Sequence, residues 1–113
     1  MKPTVASLLA LVLFGAGPAL ADQSSELARV IQYELRESGL HAVFLSAPIP
    51  DEGCDRIDRA ILDPRSRASD AFLESIRSAN TNNRLVRLRV DGCIQIDFGT
   101  LITAPRVIKV DVN

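Results

Sequence analysis

The chain has no Trp, and among its 113 residues it has one Tyr, one His, one Met and two Cys. Each shortage removes a class of function. One imidazole (His41) and two widely separated cysteines do not make a tetrahedral N/S metal set. With no second His and no thiol to spare, no nucleophile–base pair of the usual kind is available. No glycine motif cradles a phosphate, because Gly15 and Gly17 belong to an apolar N-terminal stretch. Charge of one sign is also missing: thirteen basic residues face fourteen acidic ones, for a net charge of −1. That balance argues against a nucleic-acid partner. The reading is a protein that is not an enzyme and carries no cofactor or metal.

The N-terminal stretch is not part of the fold. Met1-Lys2 is followed by an apolar run from Val5 to Phe14, interrupted only by Ser7. Gly15, Gly17 and Pro18 break it, and Ala19-Leu20-Ala21 has the small-x-small form of a cleavage site. Residues 1–21 therefore read as a secretory signal peptide, cut after Ala21. The run is short for a membrane span, and no cysteine near the cut offers a lipid anchor. Residues 22–113 form one small domain, secreted or periplasmic. Loss of Lys2 moves its net charge one unit further negative. In that compartment Cys54 and Cys93 read as a disulfide. It closes a loop of about 40 residues, worth roughly 4 kcal/mol against the unfolded chain.

The core is built on residues 84–91. Val86, Leu88 and Val90 alternate with Arg87 and Arg89, the period of a half-buried strand. Gly92 then marks a bulge that turns Cys93 inward toward Cys54. Residues 22–25 are polar and frayed. Residues 27–35 fit either a helix or a strand; Val30, Ile31 and Tyr33 favour the strand. Residues 40–47 are apolar on both faces and form a buried strand, and the proline-rich residues 47–53 form a loop. Residues 56–62 supply a third strand. Asp63-Pro64 announces a helix, with Ser66 and Ser69 as rival caps. Its apolar face is Ala68, Phe72, Leu73, Ile76 and Ala79, and it stops at Asn80-Thr81-Asn82-Asn83. Residues 94–99 extend the key strand, 100–105 form a loop, and 106–112 are the last strand. There Ile108, Val110 and Val112 point inward, and Val107, Lys109 and Asp111 outward.

The order β-β-β-α-β-β is that of a mostly β, five-stranded OB-fold, with a different α+β sandwich as the alternative. A strand leading into Cys54, the helix over residues 70–79, Leu85-Val86-Arg87-Leu88-Arg89-Val90-Asp91-Gly92-Cys93 and Pro105-Arg106-Val107-Ile108-Lys109-Val110 together resemble a group of small secreted bacterial proteins. Their layout is similar to the B subunits of subtilase-type and pertussis-like toxins. The resemblance spans roughly residues 30–112 and implies a disulfide-stapled OB-fold that assembles as a ring and binds cell-surface glycans. No family sugar-binding residue matches a position here.

Two kinds of exposed group are candidates for ligand contact. Arg87 and Arg89 form a stripe on one strand, which Arg56 or Arg59 can extend from a neighbour; guanidinium forks suit carboxylates. Against this, Asp55, Asp58, Asp91 and Asp111 can pair with these arginines. Phe44 and Phe72 occupy core positions, leaving Tyr33 and Phe98 as aromatic platforms for a sugar. The loop from Asp97 to Ala104, with Phe98 and Leu101, is either an apolar contact or a lid packed on the core. Asp51, Glu52, Asp55 and Asp58 lack calcium-loop spacing and read as a solvated loop. The expectation is a binding module that recognises a glycan or a protein surface, as a ring-forming homo-oligomer in the first case. The alternatives are a periplasmic inhibitor or immunity-type protein with the acidic residues 48–55 as its plug, and a structural envelope protein.

Overall fold

The computed structural model describes residues 23–113; the signal-peptide assignment lies outside the described residues. The elements are β1 (Gln23–Ser24), β2 (Ala28–Glu34), β3 (Ala42–Leu45), β4 (Ala60–Ile61), α1 (Ser69–Asn82), β5 (Leu85–Gln95) and β6 (Thr103–Val112). The chain is mostly strand with one helix, as expected. β5 is antiparallel to β1, β2 and β6; β3 lies antiparallel between β2 and β4; and β4 runs parallel to β6. Followed in order, the pairings β5–β2–β3–β4–β6 return to β5.

The alternation in β5 is as expected: Val86, Leu88 and Val90 are fully buried, and Arg87 and Arg89 are exposed. Residues 27–35 contain a strand, not a helix. The helix has the expected apolar face, with Ile76 and Ala79 buried and Phe72 and Leu73 packed on the main cluster. It packs against β2, β5 and β6. It ends at Asn83, whose N–H still bonds Ala79 O and whose left-handed φ of 57° lets the Arg84 N–H turn back to the same carbonyl.

Several expectations are corrected. The N-terminal residues are not frayed: β1 pairs with β5, and buried Ser25 exchanges hydrogen bonds with the Leu88 backbone. The third strand shrinks to β4, because residues 55–59 spend their polar groups elsewhere. The Arg56 N–H donates to Thr103 O, Asp55 bonds Thr103, and Ile57 is exposed. Asp63 does not cap the helix; it closes a preceding turn by accepting the Arg65 N–H at 2.9 Å. α1 begins six residues later at Ser69, after Ala68, with no side-chain cap. β6 starts at Thr103, inside the expected loop.

In β6 Val110 packs on the main cluster as expected, but Val107 is buried rather than outward, Ile108 is half-buried and Val112 exposed. The cause is a register shift: Arg89 faces Lys109 but Val90 faces Val107, so Ile108 is an extra residue and the phase slips. A similar irregularity at Ile31 in β2 leaves that residue 62% exposed, with Val30 before it and Tyr33 after it facing the core. The bulge at Gly92 is present, with φ 70°, a conformation open to glycine. It does not turn Cys93 inward: the Cys54–Cys93 disulfide lies at the surface, with Cys93 exposed and Cys54 half-buried.

The interior has two parts. The main cluster lies under α1. The smaller one comprises Leu40, Ala42, Ile61, Ile94, Ile96 and Ala104, with Phe44 packed against it. β5 feeds both, because its inward alternation resumes at Ile94 beyond the bulge.

Candidate functional site

A cleft of about 300 Å³ opens over the smaller cluster, lined by Leu40, Arg65, Cys93, Ile94, Gln95 and Phe98. Four segments meet there. Leu40 comes from the β2–β3 turn. Gly39 lets that turn sit against Pro64: its φ is 85°, and a Cβ would come within 2.8 Å of the proline ring. Arg65 comes from the turn before α1, where Asp63 holds it through both carboxylate oxygens, at 3.1 and 3.2 Å. The Asp63 side chain is nearly buried and that of Arg65 mostly exposed. The Arg65 hydrogen bonds keep the Asp63 carboxyl below the ordinary carboxylate range, against the opposing effect of burial.

β5 supplies Cys93, Ile94 and Gln95, and the loop after it supplies Phe98. That loop is held by Ile96 N–H donating to Ile102 O and by Thr100 N–H donating to Asp97 O. Arg36 donates to Asp97 at 2.8 Å. The loop does not fold back over the core: Phe98 is 67% exposed, Leu101 87% and Ile102 44%. An aromatic face thus stands beside an amide, a guanidinium and an apolar floor. Such a set suits a ligand with an apolar face and hydrogen-bonding edges.

The other candidates separate. Arg87 and Arg89 share the outer face of β5, opposite Asp111 and Lys109 of β6 respectively. Arg89 Nε lies 3.4 Å from Ser24 Oγ, and Lys109 lies 3.7 Å from Asp111. Arg56 and Arg59 do not extend this stripe, because β6 separates β4 from β5. Arg59 bonds Asp58 through two nitrogens at 3.1 Å and lies 4.9 Å over the Phe44 ring; Arg56 is 4.0 Å from the same Asp58. The Arg59 hydrogen bonds lower the Asp58 pKa. Tyr33 is half-buried against the main cluster, which turns it from platform to packing.

The acidic loop is tied to the sheet at two points, while Pro48, Asp51, Gly53 and Asp55 are exposed. Glu52 accepts from Gln23 Nε2 and from the Gly92 N–H, and the disulfide ties Cys54 to β5. His41 is half-buried, its Nδ1 accepting the Arg36 N–H at 2.9 Å. Among the described residues no group of three or more His, Cys, Asp or Glu could hold a metal ion, and no helix is long and apolar enough to cross a membrane.

Sequence reasoning missed Leu40, Arg65 and Gln95. Nothing in their spacing marks them, since the register of distant strands brings them together. The local signal was Asp63-Pro64-Arg65, an acid and a base flanking a turn-forming proline. No family model matches the chain, and no curated protein matches it by sequence.

Proposed function

We propose that this chain is an exported, non-enzymatic carbohydrate-binding module built as an OB-type barrel, resembling toxin B subunits. The circuit of strand pairings, with its helix between β4 and β5, supports the barrel reading. The disulfide is compatible with an oxidising compartment outside the cytoplasm. The observation that carries the ligand class is exposed Phe98 beside Gln95 and Arg65 on the cleft rim. A sugar ring stacks its C–H face on an aromatic and offers hydroxyls to amide and guanidinium. The disulfide-bonded protein is to be screened against immobilised oligosaccharides. Phe98→Ala is expected to weaken any hit at least tenfold without lowering the melting temperature. A hit unaffected by Phe98→Ala places binding elsewhere, and Arg87→Glu with Arg89→Glu then tests the stripe.

A second reading rests on Leu101, the most exposed large apolar residue among the described residues. A proud apolar tip suits a protein partner, as in an inhibitor that binds through one loop. Light scattering on the oxidised protein separates the readings further. A ring favours multivalent glycan binding, and a monomer favours the inhibitor.

A further inference from the structure

One side chain joins the β2–β3 turn to the tip of the β5–β6 loop. Arg36 donates to Asp97 at 2.8 Å and to Glu34 at 3.0 Å. Its Nε is buried without an acceptor, so these two carboxylates hold the guanidinium. The hydrogen bond to Asp97, and behind it that to Glu34, raises the Arg36 pKa against the effect of burial. The backbone of the same residue is fixed by its N–H, which donates to His41 Nδ1. That bond needs a lone pair on Nδ1, which an imidazole offers there only when its single proton sits on Nε2.

We propose that His41 and Arg36 form an acid-sensitive latch, which holds the β5–β6 loop in place while the imidazole is neutral and releases it when the ring gains a proton. A protonated ring carries N–H on both nitrogens. Nδ1–H would then face the Arg36 N–H, and the acceptor that fixes the Arg36 backbone would be lost. The charged groups on the elements around the ring include Glu34 and Arg36, Glu37 in the turn, Asp97 in the loop, Asp63 and Arg65 before α1, and Arg106 on β6, with Arg29, Lys109 and Asp111 further along β2 and β6. Glu34 and Asp97 are committed to Arg36, and Asp63 to Arg65. Receiving an imidazolium would cost one of those pairs, leaving exposed Glu37 as the uncommitted carboxylate. Leu40, next to His41, and Phe98, next to Asp97, line the cleft, so release loosens two of its walls.

The inference goes beyond the proposed carbohydrate site, and its test needs no ligand. Imidazole groups change charge between about pH 5 and pH 8. Nitrogen-15 NMR of the oxidised protein is expected to show the Nε2–H tautomer at neutral pH. Backbone amides of residues 96–101 should titrate with the same midpoint as the ring. His41→Asn keeps an oxygen acceptor near the Nδ1 position without the titration, so its loop signals should stay flat over that range. In Arg36→Lys the ring should still titrate while the loop response falls severalfold. An Nδ1–H tautomer in the wild type overturns the latch, whether or not the variants fold. So do loop amides that follow a carboxylate midpoint, or an unchanged response in His41→Asn.

Discussion

The carboxylate of Glu52 accepts the backbone N–H of Gly92 at 3.0 Å, across forty residues of sequence. Its other oxygen takes the Gln23 side chain at 2.8 Å. One acid thus joins the loop before Cys54, the β5 bulge and the first strand. Glu52→Ala is expected to cost about 0.5–1.5 kcal/mol, the net worth of a hydrogen bond whose freed donor water can reach. Glu52→Gln, which keeps one acceptor, should cost less. Urea denaturation at constant slope measures both; equal costs would show that shape, not acceptance, is what matters.

The disulfide lies beside that contact, with a Cα–Cα distance of 5.6 Å. Replacing Cys54 and Cys93 with Ser is expected to remove about 2–4 kcal/mol, mostly by freeing the unfolded chain. Contacts from Glu52, Asp55 and Arg56 should still keep the segment in place. Denaturation of the double variant, with amide shifts near Gly92, checks both points. A collapse of those shifts would show that the bond, rather than the hydrogen bonds, shapes the loop.

Asp63 gives a pH dependence of defined sign. Its folded-state pKa lies below its unfolded one, chiefly through the Arg65 hydrogen bonds. The stabilisation is therefore full above the unfolded carboxyl range and is lost as pH falls through the folded value, from about pH 4 downward. Asp63→Asn should be less stable than wild type at pH 7, and the two stability curves should converge in acid. A pH-independent gap would trace the effect to neutral hydrogen bonding.

Leu88 and Leu101 offer a contrast between identical side chains. Leu88 is fully buried in β5, and Leu88→Ala should cost about 2–5 kcal/mol through the cavity it leaves. Leu101 is 87% exposed, and Leu101→Ser should change stability by no more than about 0.5 kcal/mol. Thermal melts of the two variants decide this. A large loss in Leu101→Ser would mean that the tip is packed in solution.

What could be read from the chain followed from local period. Val86, Leu88 and Val90 lie inward because a strand alternates, and Ile76 and Ala79 are buried because they share one helical stripe. Val107 was misassigned because the slip at Ile108 is set by the partner strand and leaves no local mark. The third strand was drawn too long because Ile57 looks like a strand residue, while Asp55 and Arg56 bond to Thr103 far along the chain. Of the candidate platforms, Phe98 stood in a loop and proved exposed, whereas Tyr33 proved half-buried. The cleft itself was invisible, since Leu40, Arg65 and Gln95 become neighbours only through long-range pairing.

The two-residue β4 meets β6 through a single register pair, Ile61 with Arg106, whereas β5 and β6 run together for most of their length. The circuit of strands therefore has a seam. Here the join is supplemented by Arg56 and Asp55, which bond to Thr103. Thermal opening begins at the least-bonded edge. Opening is therefore expected to start between β4 and β6, with the smaller interior cluster beneath the cleft the first to meet water.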